Sequence, residues 1–193
     1  IYQITTSRTY QLPSVEVVSE EKLTSEDYVF KGMRRRRLSA EQFADAVSTI
    51  IYPIYSDTLI SFDPFKESGV AQSTPYVRAS LVRNDGFLTA LGRPNRENVL
   101  TSRSSQANLL QALELTNGDR FNSALEYGAK RWKEQFPASR ELIDEVYRKA
   151  LGRPAKAEEI EVAFAILGPA PDDGAVEDFL WAIMLLPEFQ LIY

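Results

Sequence analysis

The sequence of 193 residues contains no cysteine and no histidine. Without cysteine it cannot form a disulfide, a thiolate nucleophile, an iron–sulfur site or a C-x-x-C-H haem attachment site. Without histidine it has no Ser–His triad, no zinc site of the usual His/Cys kind and no imidazole base near neutral pH. Carboxylate, Lys, Tyr, Arg and Ser remain. We expect no cofactor and no metal in this chain, although these residues still permit carboxylate-pair chemistry or a metal held by oxygen ligands.

Long apolar runs are absent too. The longest covers residues 180–187, far short of the roughly 20 residues that a membrane-spanning helix needs. A net charge of −5 argues against nucleic acid as a partner. Hydrophobic residues make up 44% and charged residues 25%, which is ordinary for a globular protein. We predict a globular chain with no membrane span and no nucleic-acid partner.

Helical patterns dominate and strand signals are weak, which predicts an all-α fold, an irregular bundle of about 6–8 helices. A long loop-rich segment is expected near residues 52–86, where turn signals are frequent. It is either a functional loop or a stretch that contains short helical turns, and the second reading is favoured. Helices are predicted over 39–51, 104–117, 121–136, 139–150, 157–167 and 174–186, with the end of another within 1–14.

Local signals mark several helix boundaries. Ser39 and Gln42 form a capping box, and Tyr52-Pro53 ends that helix. Ser104 or Ser105, and later Ser139, are expected N-caps. Asn117-Gly118 predicts a left-handed stop, and Leu-Gly-Arg-Pro at 91–94 and 151–154 predicts two more, because glycine adopts the left-handed conformation and proline prevents continuation.

Charge divides the chain unevenly. Residues 1–103 carry 13 basic and 12 acidic side chains, and residues 104–193 carry 9 and 15. We predict one helical domain over 1–193, composed of a loop-rich half (1–103) and a compact helical half (104–193). Since the sequence begins at Ile1 without methionine, we expect it to be a mature or trimmed fragment of a larger chain.

Arginines are grouped in the first half with no lysine among them. Arginine is favoured where planar contact with carboxylate, sulfate or phosphate is needed, which suggests an anion-binding or partner-binding surface. The alternative is pairing with acidic side chains of the same chain or stacking on aromatic rings, and this alternative is favoured. The arginines are Arg78, Arg83, Arg93, Arg96 and Arg103.

Three sets of residues, in order along the chain, resemble the signatures of one family. The first set is Thr6-Ser7-Arg8-Thr9-Tyr10-Gln11 and Arg36-Arg37-Leu38-Ser39-Ala40-Glu41-Gln42. The second includes Gly92-Arg93-Pro94, Arg96-Glu97, Arg103-Ser104 and Asn117-Gly118. The third includes Tyr147-Arg148, Leu151-Gly152-Arg153-Pro154, Leu180-Trp181-Ala182 and Glu188-Phe189. The family that these sets resemble is the planctomycete-specific uncharacterised domain (PSD-one), which is C-terminal to planctomycete cytochrome c domains.

The resemblance implies that this domain is the C-terminal unit of a large exported, multidomain protein of the periplasm or cell envelope, often with a c-type cytochrome domain near its N-terminus. The family has no assigned activity to transfer. Some relatives carry a Cys-x-Cys pair where this sequence reads Val99-Leu100-Thr101. Any metal or redox role of that pair is therefore absent from this member.

Three functions remain open. The first is a non-catalytic helical module that supports or docks neighbouring domains of the same polypeptide. The second is binding or processing of a sulfated or acidic polysaccharide in an arginine-lined cleft, with aromatic side chains holding the sugar and carboxylates acting as acid and base. The third is an accessory role in electron transfer, packed against a haem domain. The second would use Tyr10, Tyr76, Trp132, Trp181, Asp85, Glu97 and Glu114, although core packing is the favoured role of both tryptophans.

Overall fold

The computed structural model describes residues 1–12, 25–27, 29–33, 35–55, 77–94 and 108–192. Its internal contacts divide it into two compact units, one formed by Ile1–Arg37 with Leu191–Tyr193 and the other by Leu38–Gln190. The predicted division at residue 103 stays a prediction, because residues 95–107 lie outside the described ranges.

In its described part, the first unit consists of one helical turn, irregular segments and a small sheet. The turn is α1 (Tyr2–Thr5). Strand β1 (Arg36–Arg37) pairs antiparallel with β2 (Leu191–Ile192), with the first residue of β1 opposite the last of β2.

α1 is shorter than the helix expected within residues 1–14. The hydroxyl groups of Thr5 and Thr6 both donate to the carbonyl oxygen of Tyr2, at 3.1 and 2.8 Å, and Ser7 donates to the carbonyl oxygen of Ile4. Hydroxyl groups that bond back to the backbone in this way compete with regular helix formation.

The second unit is helical, and the prediction of a mainly α fold is confirmed. No helix in the ranges given above combines the length and apolar character needed to cross a membrane. The elements are α2 (Ala40–Ile50), a 3-10 turn (Ala79–Leu81), α3 (Gly86–Ala90), α4 (Leu109–Asn117), α5 (Asp119–Gln135), α6 (Ser139–Leu151), α7 (Ala157–Leu167), α8 (Asp173–Leu185) and α9 (Pro187–Gln190).

α2 begins and ends where the sequence predicts. The Ser39 hydroxyl accepts from the Gln42 backbone N–H, and the Gln42 side chain accepts from the Ser39 N–H at 2.9 Å. The helix ends at Ile50, before Tyr52-Pro53. Both predictions are confirmed, because capping depends only on residues within one turn. Of the loop-rich segment expected near 52–86, residues 56–76 lie outside the described residues.

The core of this unit centres on α5, which packs chiefly against α8. Rings from α2, α3 and α5 meet there, with the Phe43 and Phe121 centroids 6.0 Å apart and those of Phe87 and Phe121 6.4 Å apart. Burying an aromatic or aliphatic side chain of this size contributes about 1.5–3 kcal/mol. The helical spacing of apolar residues in α5, α6 and α8 predicts one buried face for each helix, and these faces pack here.

Both tryptophans serve the core, as the sequence favours. Trp132 is buried, and its indole N–H donates to the carbonyl oxygen of Ile50 at 3.0 Å. Trp181 is half-buried against the core and donates to the carbonyl oxygen of Leu115 at 2.9 Å. Each indole therefore joins two helices through packing and one hydrogen bond.

The two Leu-Gly-Arg-Pro sequences end helices as predicted. Gly92 has φ 93° and Gly152 has φ 69°, values in the left-handed region that favours glycine. After α3, the N–H of Gly92 donates to the carbonyl oxygen of Thr89 and the next N–H donates to that of Leu88. This pair of bonds is a Schellman motif. After α6, the N–H of Gly152 donates to the carbonyl oxygen of Arg148 at 3.1 Å.

The predicted boundaries of α4 are corrected. Asn108 is its N-cap, and its side-chain oxygen accepts from the N–H three residues on; Ser104 and Ser105 lie outside the described residues. The left-handed stop predicted at Gly118 is wrong, because this residue has φ −73° and ψ 126°. A Cβ atom there would overlap the carbonyl oxygen of Glu114. Glycine at this position instead lets the backbone lie tight against the last turn of α4, so that α5 can follow directly.

Two further predictions are wrong. Ser139 is the first residue of α6 rather than its cap, and its hydroxyl group donates to the carbonyl oxygen of Gly168 at 2.6 Å. The helical spacing of Ile160, Ala163, Phe164 and Leu167 predicts that all four are buried, but Phe164 is 40% exposed. α7 packs chiefly against α6 and α8, so it buries a narrower stripe than its apolar residues would cover.

Candidate functional site

An apolar groove, called here the α7/α8 groove, lies among α6, α7 and α8 and has a volume of about 300 Å³. Its walls are apolar apart from one tyrosine and two glutamates. The lining residues are Tyr147, Glu158, Glu159, Val162, Ala163, Ile166, Phe179, Ala182, Ile183 and Leu186.

One wall of the groove is a row of side chains on α7. Glu158, Val162 and Ile166 follow each other at intervals of four residues, so they lie one helical turn apart on the same face. Val162 is 64% exposed and Ile166 is 41% exposed. The apolar surface therefore continues from the groove onto the open side of α7.

Arg153 lies beside this groove, directly after the left-handed turn that ends α6. Its Nη1 and Nη2 atoms donate to the two carboxylate oxygens of Glu159, at 2.8 and 2.7 Å. Its Nε and Nη2 atoms donate to the two oxygens of Glu188, both at 2.7 Å. The guanidinium carbon lies 5.6 Å from the centroid of the Tyr147 ring. The end of α6, the start of α7 and α9 are thus joined through one side chain.

The same contacts fix the charge state of the two carboxylates. Hydrogen bonds from Arg153 are the main cause that lowers the pKa of Glu159 to about 2, and they also hold the pKa of Glu188 below its usual range. Burial, followed by the nearby charge of Glu159, raises the pKa of the Tyr147 hydroxyl. Both carboxyl groups are ionised at neutral pH, so neither is poised there as a general acid.

Of the five predicted arginine sites, Arg93 is turned inward, and its side chain is only 8% exposed. Its Nη1 atom donates to the carbonyl oxygens of Ala79 and Val82, at 3.1 and 3.2 Å. Its Nη2 atom donates to that of Ser80 at 3.5 Å, and its Nε atom lies 3.3 Å from a carboxylate oxygen of Glu41. This guanidinium group holds the 3-10 turn against α2.

Arg78 and Arg83 are both exposed. Arg78 is 65% exposed, and its Nε atom lies 3.1 Å from Asp45 Oδ2. The other oxygen of Asp45 accepts from the Ala79 N–H at 2.7 Å, so Asp45 fixes the same turn that Arg93 holds. The remaining two predicted sites, Arg96 and Arg103, lie outside the described residues. Their predicted role in binding an anion or partner stays a prediction.

Two acid–base candidates of the polysaccharide hypothesis, Asp85 and Glu114, lie in the described part of the chain. Asp85 caps α3, with Oδ1 accepting the Leu88 N–H at 2.9 Å. Its Oδ2 atom accepts from the Tyr55 hydroxyl at 3.1 Å and lies 2.8 Å from Arg120 Nε. Burial and the charge of Asp85 raise the pKa of the Tyr55 hydroxyl. Three groups of the chain thus surround this carboxylate. Glu114 is half-buried on α4.

Of the remaining candidates for that hypothesis, Tyr10 is exposed, in the first unit. Glu97 and Tyr76 lie outside the described residues. In the ranges that the structure describes, no group of three or more acidic side chains is arranged to hold a metal ion.

Sequence reasoning missed the groove and Arg153. The available signal was α7 itself, where Ile160, Val162, Phe164 and Ile166 spread apolar character around more than one side of the helix. A helix whose apolar residues exceed one buried stripe presents part of them to solvent or to a partner. For Arg153, the signal was its place in the second Leu-Gly-Arg-Pro sequence.

Comparison with known proteins identifies a family. A model of the family PSD1, described as a protein of unknown function (DUF1553), matches residues 1–167. This range includes α6 and α7, whereas α8 follows it. No curated protein and no solved structure matches the chain. Because the matched range covers most of the 193 residues, the chain belongs to the PSD1 family of proteins of unknown function.

Proposed function

We propose that this chain is a non-catalytic helical docking module, and that a neighbouring part of the same polypeptide binds in the α7/α8 groove. The observation that carries this proposal is the apolar row of Val162 and Ile166, exposed beside a groove of about 300 Å³. Contiguous apolar surface on ordered helices is characteristic of protein interfaces. The resemblance adds the setting, a large exported, cytochrome-associated protein of the cell envelope.

The charged groups beside the groove support binding better than catalysis. Arg153 donates to both oxygens of Glu159 and of Glu188, which leaves these carboxylates ionised and held in place. A general acid would need a carboxyl group with a pKa raised towards neutral pH. Rigid, ionised side chains at the edge of an apolar groove instead suit the polar rim of an interface.

Hydrogen–deuterium exchange on the isolated chain and on the whole polypeptide tests the proposal. If a neighbouring domain covers the groove, amides of α7 and of residues 179–186 should exchange at least about fivefold more slowly in the whole polypeptide. The amides of α5, which does not line the groove, serve as the internal reference and should exchange equally in both samples.

An Ile166→Asp variant of the whole polypeptide provides the matched control. A carboxylate in the apolar row would have to be desolvated on docking, so the additional protection of α7 should disappear while that of α5 is kept. Identical exchange of α7 in the isolated chain and in the whole polypeptide would refute docking of a neighbouring domain at this groove.

A further inference from the structure

Glu158 occupies the open end of the apolar row on α7. It lies one turn before Val162 and lines the same groove. Its carboxylate makes no ion pair with any side chain in the described part of the chain. Its position in the first turn favours the helix dipole, but that interaction leaves the carboxylate oxygens free to accept hydrogen bonds.

The surrounding charges leave an excess of negative charge at this end. Arg153 and Lys156 provide two positive charges against those of Glu158, Glu159 and Glu188. Arg153 donates four hydrogen bonds to the last two carboxylates and a fifth to the carbonyl oxygen of Pro154, so its N–H groups all have acceptors. A partner that approaches the groove therefore meets apolar side chains along α7 and an unpaired carboxylate beyond them.

The size of the groove favours a helix over a small molecule. A volume of about 300 Å³ is at the lower limit of small-molecule sites. Moreover, a molecule confined to the cavity would leave the exposed part of Val162 and Ile166 uncovered. A partner helix carries side chains at the same one-turn spacing as this row, so it can fill the groove and cover its open edge together.

We propose that the α7/α8 groove binds an amphipathic helix that inserts two apolar side chains one turn apart and places a lysine or arginine one turn further, against Glu158. The inference rests on the proposed docking function and specifies the partner. The observation that carries it is the regular spacing of Glu158, Val162 and Ile166, each one helical turn from the next, which side chains on a partner helix can match. Charge complementarity at the end of an apolar interface sets register and partner choice.

Two synthetic helical peptides test the inference. Both carry two leucines four residues apart, flanked at the same spacing on each side by lysine in one peptide and by glutamate in the other, so that the result does not depend on helix direction. Fluorescence anisotropy should show the lysine peptide binding at least about tenfold more tightly than the glutamate peptide. The difference should shrink as salt is added, because the charges at the rim are exposed.

Charge reversal in the protein provides the decisive comparison. Glu158→Lys should reverse the order and make the glutamate peptide the tighter ligand. Glu161→Lys is the matched control, because Glu161 is exposed on the same helix but does not line the groove. It changes the net charge equally and should keep the original order. Ile166→Asp should weaken both peptides.

The outcomes separate this inference from the docking function. Equal binding of both peptides, lost on Ile166→Asp, would overturn the role of Glu158 while supporting docking in the groove. Binding of neither peptide, together with slowed exchange of α7 in the whole polypeptide, would also overturn the charged-helix partner alone. Binding of neither peptide without any slowed exchange would overturn both. The same shift in order with Glu158→Lys and Glu161→Lys would reduce the effect to net charge and refute the specific contact.

Discussion

The guanidinium group of Arg153 faces the carboxylate of Glu159 through two parallel hydrogen bonds, Nη1 to Oε2 at 2.8 Å and Nη2 to Oε1 at 2.7 Å. Oε2 of Glu159 also accepts the N–H of Lys156 at 2.8 Å, which caps the first turn of α7. The pair therefore fixes the angle at which α7 leaves α6, and with it one wall of the groove.

Arg153→Lys should lower the free energy of unfolding by about 1–2 kcal/mol. The ammonium group of a lysine cannot reproduce the two-bond contacts that the planar guanidinium group makes with Glu159 and with Glu188. This loss of stability is smaller than for a fully buried pair, because about a quarter of the Arg153 side chain is exposed and solvent screens the interaction. Urea unfolding followed by circular dichroism gives the measurement.

Arg148→Lys is the matched control for that substitution. Arg148 pairs with Glu145 on the same helix and is 63% exposed, so its replacement should change stability by less than about 0.5 kcal/mol. Equal losses in the two variants would show that the Arg153 network contributes no more than an ordinary surface pair.

Acid should remove part of the stability that Glu159 provides. The pKa of this carboxyl is lowered to about 2 by Arg153 in the folded protein, below its value in an unfolded chain. Its contribution is therefore fully present above the unfolded pKa of about 4.3 and is lost as pH falls towards 2. The stability difference between the wild type and Glu159→Gln should shrink between about pH 5 and pH 2.

Glu161→Gln provides the reference for this titration, since Glu161 is exposed on the same helix. Its difference from the wild type should stay small and nearly constant over the same pH range. A Glu159→Gln difference that does not vary with pH would contradict the ion-pair origin of the lowered pKa.

Helix positions could be predicted because their causes are local. The capping box of α2, the apolar spacing of α5 and α8 and the left-handed glycines after α3 and α6 each depend on residues within a few turns. The wrong boundaries were those where a second element intervenes. Ser139 donates to Gly168, 29 residues away, instead of capping its own helix.

The roles of the arginines could not be predicted for the same reason. About a dozen residues separate Arg93 from its carbonyl acceptors along the chain, and Glu188 is 35 residues from Arg153. A list of charged residues does not show which of them face each other. The groove requires in addition the relative register of α7 and α8, which packing of the whole core determines.

Gly128→Ala should destabilise the protein by about 1–3 kcal/mol. A Cβ atom at this position in α5 would overlap the Cγ2 atom of Ile51 and lie 3.3 Å from the backbone C and O atoms of that residue. Ile51 is completely buried, so it has no free space to move into. The gain in helix propensity, about 1 kcal/mol, offsets only part of this strain. The midpoint of thermal unfolding gives the measurement.

Gly174→Ala tests the same substitution without the close contact. Gly174 lies in the first turn of α8, and an added Cβ atom would meet only the Oδ1 atom of Asp172 at 3.6 Å, an ordinary contact. This variant should be neutral or more stable by up to about 1 kcal/mol. A stable Gly128→Ala variant would show that α5 and the end of α2 can separate without loss.

Arg93→Ala should lower the free energy of unfolding by about 3 kcal/mol or more. The substitution removes the donor from the carbonyl oxygens of Ala79 and Val82 and the cation from Glu41, and buried polar groups without partners are costly. Arg93→Lys should fall between the wild type and alanine, because one ammonium group cannot reach all of these acceptors. Urea unfolding again gives the measurement.

Arg83→Ala is the control, since Arg83 is exposed and forms no ion pair with another described residue. The expected change in its free energy of unfolding is below about 0.5 kcal/mol.

Binding of dextran sulfate to the same variants distinguishes a structural role of Arg93 from an anion-binding role. If Arg93 only holds the 3-10 turn, Arg93→Lys, where it remains folded, should bind dextran sulfate as the wild type does. A folded Arg93→Lys variant that has lost dextran sulfate binding would instead support an anion site at Arg93.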